Sequence, residues 1–128
     1  MEKSLFNSMG EPVAYISSDP GKIIYLWDGH PVAYLYDYHV YGFNGKHLGW
    51  ILNGIVYDSN GNRIGFLSNI CPVPVSQKPP KGKKYFADKK EPRYEAPPLP
   101  DLGFNYSPED FAEFLKQGQI TPWEKETS

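Results

Sequence analysis

One segment of this chain is written four times, and that repetition limits its fold more than any other feature. Aligned on Gly10, Gly29, Gly45 and Gly61, the copies FNSMGEPVAY, YLWDGHPVAY, YGFNGKHLGW and YDSNGNRIGF follow one another at intervals of 19, 16 and 16 residues. Four positions before each glycine stands an aromatic: Phe6, Tyr25, Tyr41, Tyr57. Three after it stands an aliphatic (Val13, Val32, Leu48, Ile64), then a tiny residue (Ala14, Ala33, Gly49, Gly65), then a second aromatic (Tyr15, Tyr34, Trp50, Phe66). A unit this short cannot bury its own apolar face, so four of them must share one core.

Each copy carries the chemistry of a β-hairpin. Asp28-Gly29, Asn44-Gly45 and Asn60-Gly61 are the dipeptides of a type I′ turn, and aromatic and β-branched residues flank them as strands prefer. Met9-Gly10 fits that turn poorly, so a longer turn over Asn7–Gly10 is expected in the first copy. A two-residue turn at Asp28-Gly29 sets Trp27 opposite His30, Tyr25 opposite Val32, Ile24 opposite Ala33 and Ile23 opposite Tyr34. By strand alternation, Tyr25, Val32 and Tyr34 then share one face and Ala33 points to the other. The tiny residue serves either a close backbone approach around a central pseudo-four-fold axis or the relief of strain at a bend. Pro12 and Pro31 fall where a backbone N–H can be spared.

Four tandem hairpins of this pattern, followed by a proline-rich tail, resemble the bacterial four-fold β-flower domain family over about Ser4–Ile70. The resemblance implies four hairpin petals around a pseudo-four-fold axis. It implies no catalytic or ligand-binding residues, so none is carried over, and Met9 is the main departure from the pattern. The expected fold class is therefore mainly β, with four tandem hairpins in residues 1–71. A proline-rich basic arm in 72–106 and a C-terminal segment in 107–128 complete the chain.

Eight of the 13 prolines lie between Pro72 and Pro100, which excludes a helix or inner strand there and predicts extended chain. Pro92–Tyr94 and Leu99–Phe104 carry enough apolar surface to dock on an aromatic one. Residues 78–93 hold seven basic side chains against Asp88 and Glu91, between two acidic regions, so the arm is expected to fold back onto acidic surface of its own chain. One short helix is expected over about 108–117, with Ser107 as N-cap, Pro108 at the first position and Gly118 ending it in the left-handed conformation. Its apolar face, Phe111, Phe114 and Leu115, docks either on the hairpin domain or, as a tethered recognition element, on a partner.

Net charge of −2 argues against broad binding to nucleic acid or anionic membrane. The single cysteine, Cys71, leaves no disulfide and no cysteine-based zinc site. No apolar run is long enough to span a bilayer, and Met1–Pro12 lacks signal-peptide order, so a cytoplasmic location is expected. His30, His39 and His47 have no metal-ligand spacing, and neither a cofactor nor a metal is expected. The copies differ at the positions flanking the turn: Ser8/Glu11, Trp27/His30, Phe43/Lys46 and Ser59/Asn62. Trp27, His30, Phe43 and His47 are therefore the candidate binding patch near the tips of two neighbouring petals. It suits a peptide, a sugar or the chain's own tail. The leading expectation is a non-enzymatic interaction or scaffolding module, with a small-ligand or carbohydrate-binding module as alternative. An enzyme using His30 and His47 ranks third, because spacing alone fixes no catalytic geometry.

Overall fold

The computed structural model describes residues 2–87 and 89–120. Eight strands run in chain order: β1 (Lys3–Phe6), β2 (Pro12–Ile16), β3 (Ile23–Leu26), β4 (Pro31–Tyr36), β5 (His39–Gly42), β6 (His47–Leu52), β7 (Ile55–Tyr57) and β8 (Arg63–Leu67). Each repeat is one antiparallel hairpin, and neighbouring hairpins also hydrogen-bond to each other. The last strand pairs with the first through Leu5↔Leu67 and Phe6↔Phe66, closing an eight-stranded barrel. Closure consumes the hairpin edges, which would otherwise be free to pair with another chain.

All four petals use one turn, and it is not type I′. In each, the residue three before the glycine donates its N–H to the carbonyl one after it, and the glycine N–H returns a bond: Asn7/Glu11, Leu26/His30, Gly42/Lys46 and Asp58/Asn62. This is a three-residue loop in which only the glycine needs positive φ; it adopts +80°, +99°, +86° and +83° in the four petals. Asp28, Asn44 and Asn60 are not left-handed. Met9 therefore meets no conformational demand, and the first turn is the same as the rest.

The turn carries a bulge with it. Pairing steps from Leu5↔Ala14 to Phe6↔Pro12, from Ile24↔Ala33 to Tyr25↔Pro31, from Val40↔Gly49 to Tyr41↔His47 and from Val56↔Gly65 to Tyr57↔Arg63. The extra residue each time is the aliphatic three after the glycine, and Pro12 and Pro31 sit beside it. The bulge corrects the expected parity: Val32 joins Ala33 inside the barrel, while Tyr34 lies in a separate cluster with Tyr41 and Phe43. Further inward positions repeat as well: Leu5, Ile24, Val40 and Val56, and then Ile16, Leu35, Ile51 and Leu67 nearer the far end.

The tiny residues make room for the helix, α1 (Phe111–Lys116). A β-carbon at Gly65 would strike the Phe111 ring, while one at Gly49 would collide first with the Tyr57 backbone carbonyl and lie 3.2 Å from the Phe114 ring. Phe111, Phe114 and Leu115 are buried in the barrel's own core cluster, which puts the helix in cis as a plug at the turn end. It starts later than expected: Asp110, not Ser107, caps it, accepting from the Glu113 N–H at 3.1 Å. Ser107 instead holds the preceding turn through the Glu109 N–H. Gly118 is not left-handed; it lies against Gly42, where a β-carbon would collide with the Gly42 backbone. The stretch after the helix falls partly in 121–128, outside the described residues.

Residues 72–87 and 89–106 form no helix and no named strand, and they make a collar around the turn end. The N–H groups of Ser76, Tyr85, Tyr94 and Gly103, successive steps of nine residues, donate to the carbonyls of Gly10, Gly29, Gly45 and Gly61. Two residues earlier in each step, the carbonyls of Pro74, Lys83, Pro92 and Asp101 press on the same glycines so closely that a β-carbon would collide. A hidden nine-residue repeat in the arm thus tracks the four petals.

Candidate functional site

Three regions qualify for scrutiny: the petal tips singled out by sequence, a histidine pair, and the barrel end left open by the helix.

At the petal tips the collar occupies the surface. Trp27 donates its indole N–H to the Pro79 carbonyl at 2.9 Å, and Lys81 lies over its ring and that of Tyr15. Phe43 is fully buried against Tyr34, beneath the segment whose Glu91 N–H donates to the Phe43 carbonyl. His30 stacks on Tyr85 at 4.0 Å and pairs with Asp28 at 2.9 Å. His47 belongs to a different group, with His39, Tyr41 and Trp50. The four residues thus enter separate contacts, three of them with the collar.

The collar's cations rest on aromatic faces, which corrects the expectation of acidic surface. Lys81 lies 4.4 Å from the Tyr15 ring, Lys84 5.0 Å from Tyr25, Lys90 4.1 Å from Tyr34 and Arg93 3.7 Å from Tyr36. Lys81 and Lys90, and likewise Lys84 and Arg93, stand nine residues apart, so each pair occupies matching places in the hidden repeat. The outward aromatics of the first three petals supply ring faces, and a partly desolvated cation is held there by the ring quadrupole. Glu2 is the acidic contact, bridging Lys81 at 2.7 Å and Lys84 at 3.0 Å; hydrogen bonding to Lys81 holds its carboxyl below the usual range.

The histidine pair lies on one hairpin. His39 Nδ1 and His47 Nε2 are 2.9 Å apart and share one proton between them, and Tyr38 stacks on His39. Burial, then the neighbouring His39, lowers the His47 pKa to about 4, so its ring is neutral near pH 7. Its Nδ1 is buried without a partner, as is the Trp50 indole N–H. Among the described residues no three His, Cys, Asp or Glu side chains converge to hold a metal ion.

The open end presents a concavity with an apolar floor. Where the helix fills one end, the other ends on Ile16, Leu35, Ile51 and Leu67, one from each petal, six residues after its glycine. Above this ring lies a cavity of about 360 Å³, walled by the β2–β3 loop and the turn at Asn53-Gly54. Polar groups stand around the ring: Lys3, Ser17, Asp19, Lys22 and Asn53. Ser17 is buried, and its hydroxyl accepts from the Asp19 N–H at 3.2 Å, which leaves its own hydrogen to donate. An apolar floor with a few converging polar groups is the usual make-up of a small-molecule site. Sequence reasoning missed it, although the aliphatic at plus six was as regular as the positions that were read.

No helix among the described residues is long and apolar enough to cross a membrane. No curated protein matches this chain, and no solved structure does. A family model described as the 4-fold beta flower protein matches residues 3–115, taking in the barrel, the whole collar and most of the helix. With more than half of its length matched, this chain belongs to the 4-fold beta flower family.

Proposed function

We propose that this chain is a non-enzymatic small-ligand-binding module whose site is the open mouth of the barrel. The observation that carries the reading is the contrast in self-occupation. The helix fills one end, the collar covers the outer aromatics, and the ring of Ile16, Leu35, Ile51 and Leu67 faces a cavity of about 360 Å³. That volume lies within the range of small-molecule pockets, roughly 300–1,000 Å³. The ligand's apolar part rests on the ring, and its polar end meets the groups on the rim. Backbone NMR titration with short alkyl compounds tests this: saturable shifts at Ser17, Lys22, Asn53 and Gly54, abolished by Leu35→Trp, are expected. Saturable shifts confined to the petal tips would overturn it.

A protein-interaction role is the second reading, favoured by two aromatics on the collar. Phe86 is fully exposed and Phe104 85% exposed, at matching places two nine-residue steps apart. Under this reading F86S with F104S abolishes partner capture and leaves the mouth titration unchanged.

A further inference from the structure

We infer that the mouth selects an anionic amphiphile, a short alkyl chain ended by a carboxylate or similar monoanion; this rests on the mouth being the binding site.

The polar groups of the mouth are biased toward donors and positive charge. Lys3 and Lys22 line it, and neither has a carboxylate within 4.0 Å among the described residues. The Ser17 hydroxyl hydrogen and the Asn53 amide add neutral donors. Asp19 is the one acid in the lining, so two cations against one anion leave a charge of +1. Its backbone already works in the loop, donating to Ser17 Oγ and accepting from the Lys22 N–H at 2.9 Å. The loop is therefore shaped by main-chain bonds, and both lysine head groups remain available.

Lys22 is placed there against backbone preference. Its φ is +48°, a conformation that lysine rarely adopts. Two bonds hold it: its N–H to Asp19 and its carbonyl, which accepts from the Leu35 N–H at 3.1 Å. The matching position in the fourth petal, seven before the turn glycine, is Gly54, which adopts φ +81° with no such penalty. A lysine where a glycine is favoured is strain retained at a binding surface, and a cation at the rim gives it a use. The cavity holds about a dozen water volumes. An alkyl chain of moderate length fits that space, with its head group at the level of the lysines.

The test uses the full chain and three probes of equal chain length, sodium octanoate, 1-octanol and octylammonium, each below its aggregation concentration, followed by NMR or calorimetry. Octanoate is expected to bind about tenfold more tightly than octanol, as a charge-assisted contact allows. Added salt weakens octanoate but not octanol. K3Q and K22Q each reduce the octanoate preference, and Lys22→Gly reduces it as far as K22Q does without loss of fold stability, so folding failure cannot mimic the result. Equal affinity for all three probes overturns the anion selectivity but leaves the apolar site standing. Preference for octylammonium overturns it too, and makes Asp19 the dominant group. Binding of none of the three overturns both readings.

Discussion

The two ends of the barrel are built from the same four repeats, yet they have little else in common. At the turn end every petal makes the same three-residue loop, receives one N–H and one carbonyl from the collar, and helps to house the helix. At the mouth the connections differ. The β2–β3 link runs through a loop with left-handed Lys22, β4–β5 turns at Asp37-Tyr38, and β6–β7 turns at Asn53-Gly54. Asn53 and Gly54 both have positive φ, so the type I′ turn does occur in this molecule, between repeats and not within them. Uniformity goes with self-contact and divergence with a free surface. The end that repeats is the end that holds the fold together.

The sharpest way to break this comparison is to empty the plugged end. Phe111→Ala or Phe114→Ala is expected to cost about 3–5 kcal/mol in denaturant unfolding, as for other buried aromatics. A cost below about 1 kcal/mol would show that the helix is an ornament. Filling it from the wall is the complement: Gly65→Val drives a side chain into the Phe111 ring and costs about 1–3 kcal/mol. Because the two sites touch, G65V with F111L is expected to be less than additive.

A turn glycine comes next. Gly45→Ala places a β-carbon on a positive-φ residue and against the Pro92 carbonyl, so about 1–3 kcal/mol is expected, together with faster proteolysis of the collar. The same change at the mouth, Gly54→Ala, carries the same positive-φ strain but meets the Ile70 and Leu67 side chains, at 2.9 and 3.5 Å, in place of a collar carbonyl, so the collar is left undisturbed.

Acid probes the wall between the ends. His47 is held neutral, its pKa lowered to about 4 from 6.5. Above 6.5 the ring is neutral in both folded and unfolded chains, and its contribution to stability is complete. As pH falls from 6.5 toward 4, the unfolded chain gains a proton that the folded chain refuses, and stability declines. His47→Phe is expected to flatten that limb between pH 6.5 and 5, above the range where carboxylates dominate. The smallest stability effect belongs to the mouth. Leu35→Trp is expected to change unfolding free energy by about 1 kcal/mol or less, while removing ligand-induced shifts.

Much of the petal was legible in the sequence, because side chains carry it. The aromatics at minus four and plus five form the outer belt, and the aliphatic and tiny residues line the inside. What misled was backbone. Asp28-Gly29 and Asn44-Gly45 read as type I′ turns by composition, but a bulge at Val32 and Leu48 follows the turn and reverses the parity of the aliphatic position. The collar's repeat was illegible for the same reason. Ser76, Tyr85, Tyr94 and Gly103 have no side-chain type common to all four, because the contact that repeats is a backbone N–H bond. The hints were scattered pairs: Lys81 with Lys90, Lys84 with Arg93, and Tyr85 with Tyr94. The predicted patch drew on real asymmetry, because Trp27 and Phe43 are indeed the tips' large aromatics, and the collar rests on both.

The nine-residue step has a consequence for how such a chain can change. A deletion of nine residues from the arm takes out one step whole and leaves three collar N–H groups in phase with three of the four glycine carbonyls. A deletion of any other length puts the steps beyond it out of phase with their glycines. The arm therefore has a quantum of variation, as a vernier has a smallest division, and shortening it by one quantum would bring the helix to the barrel one petal early.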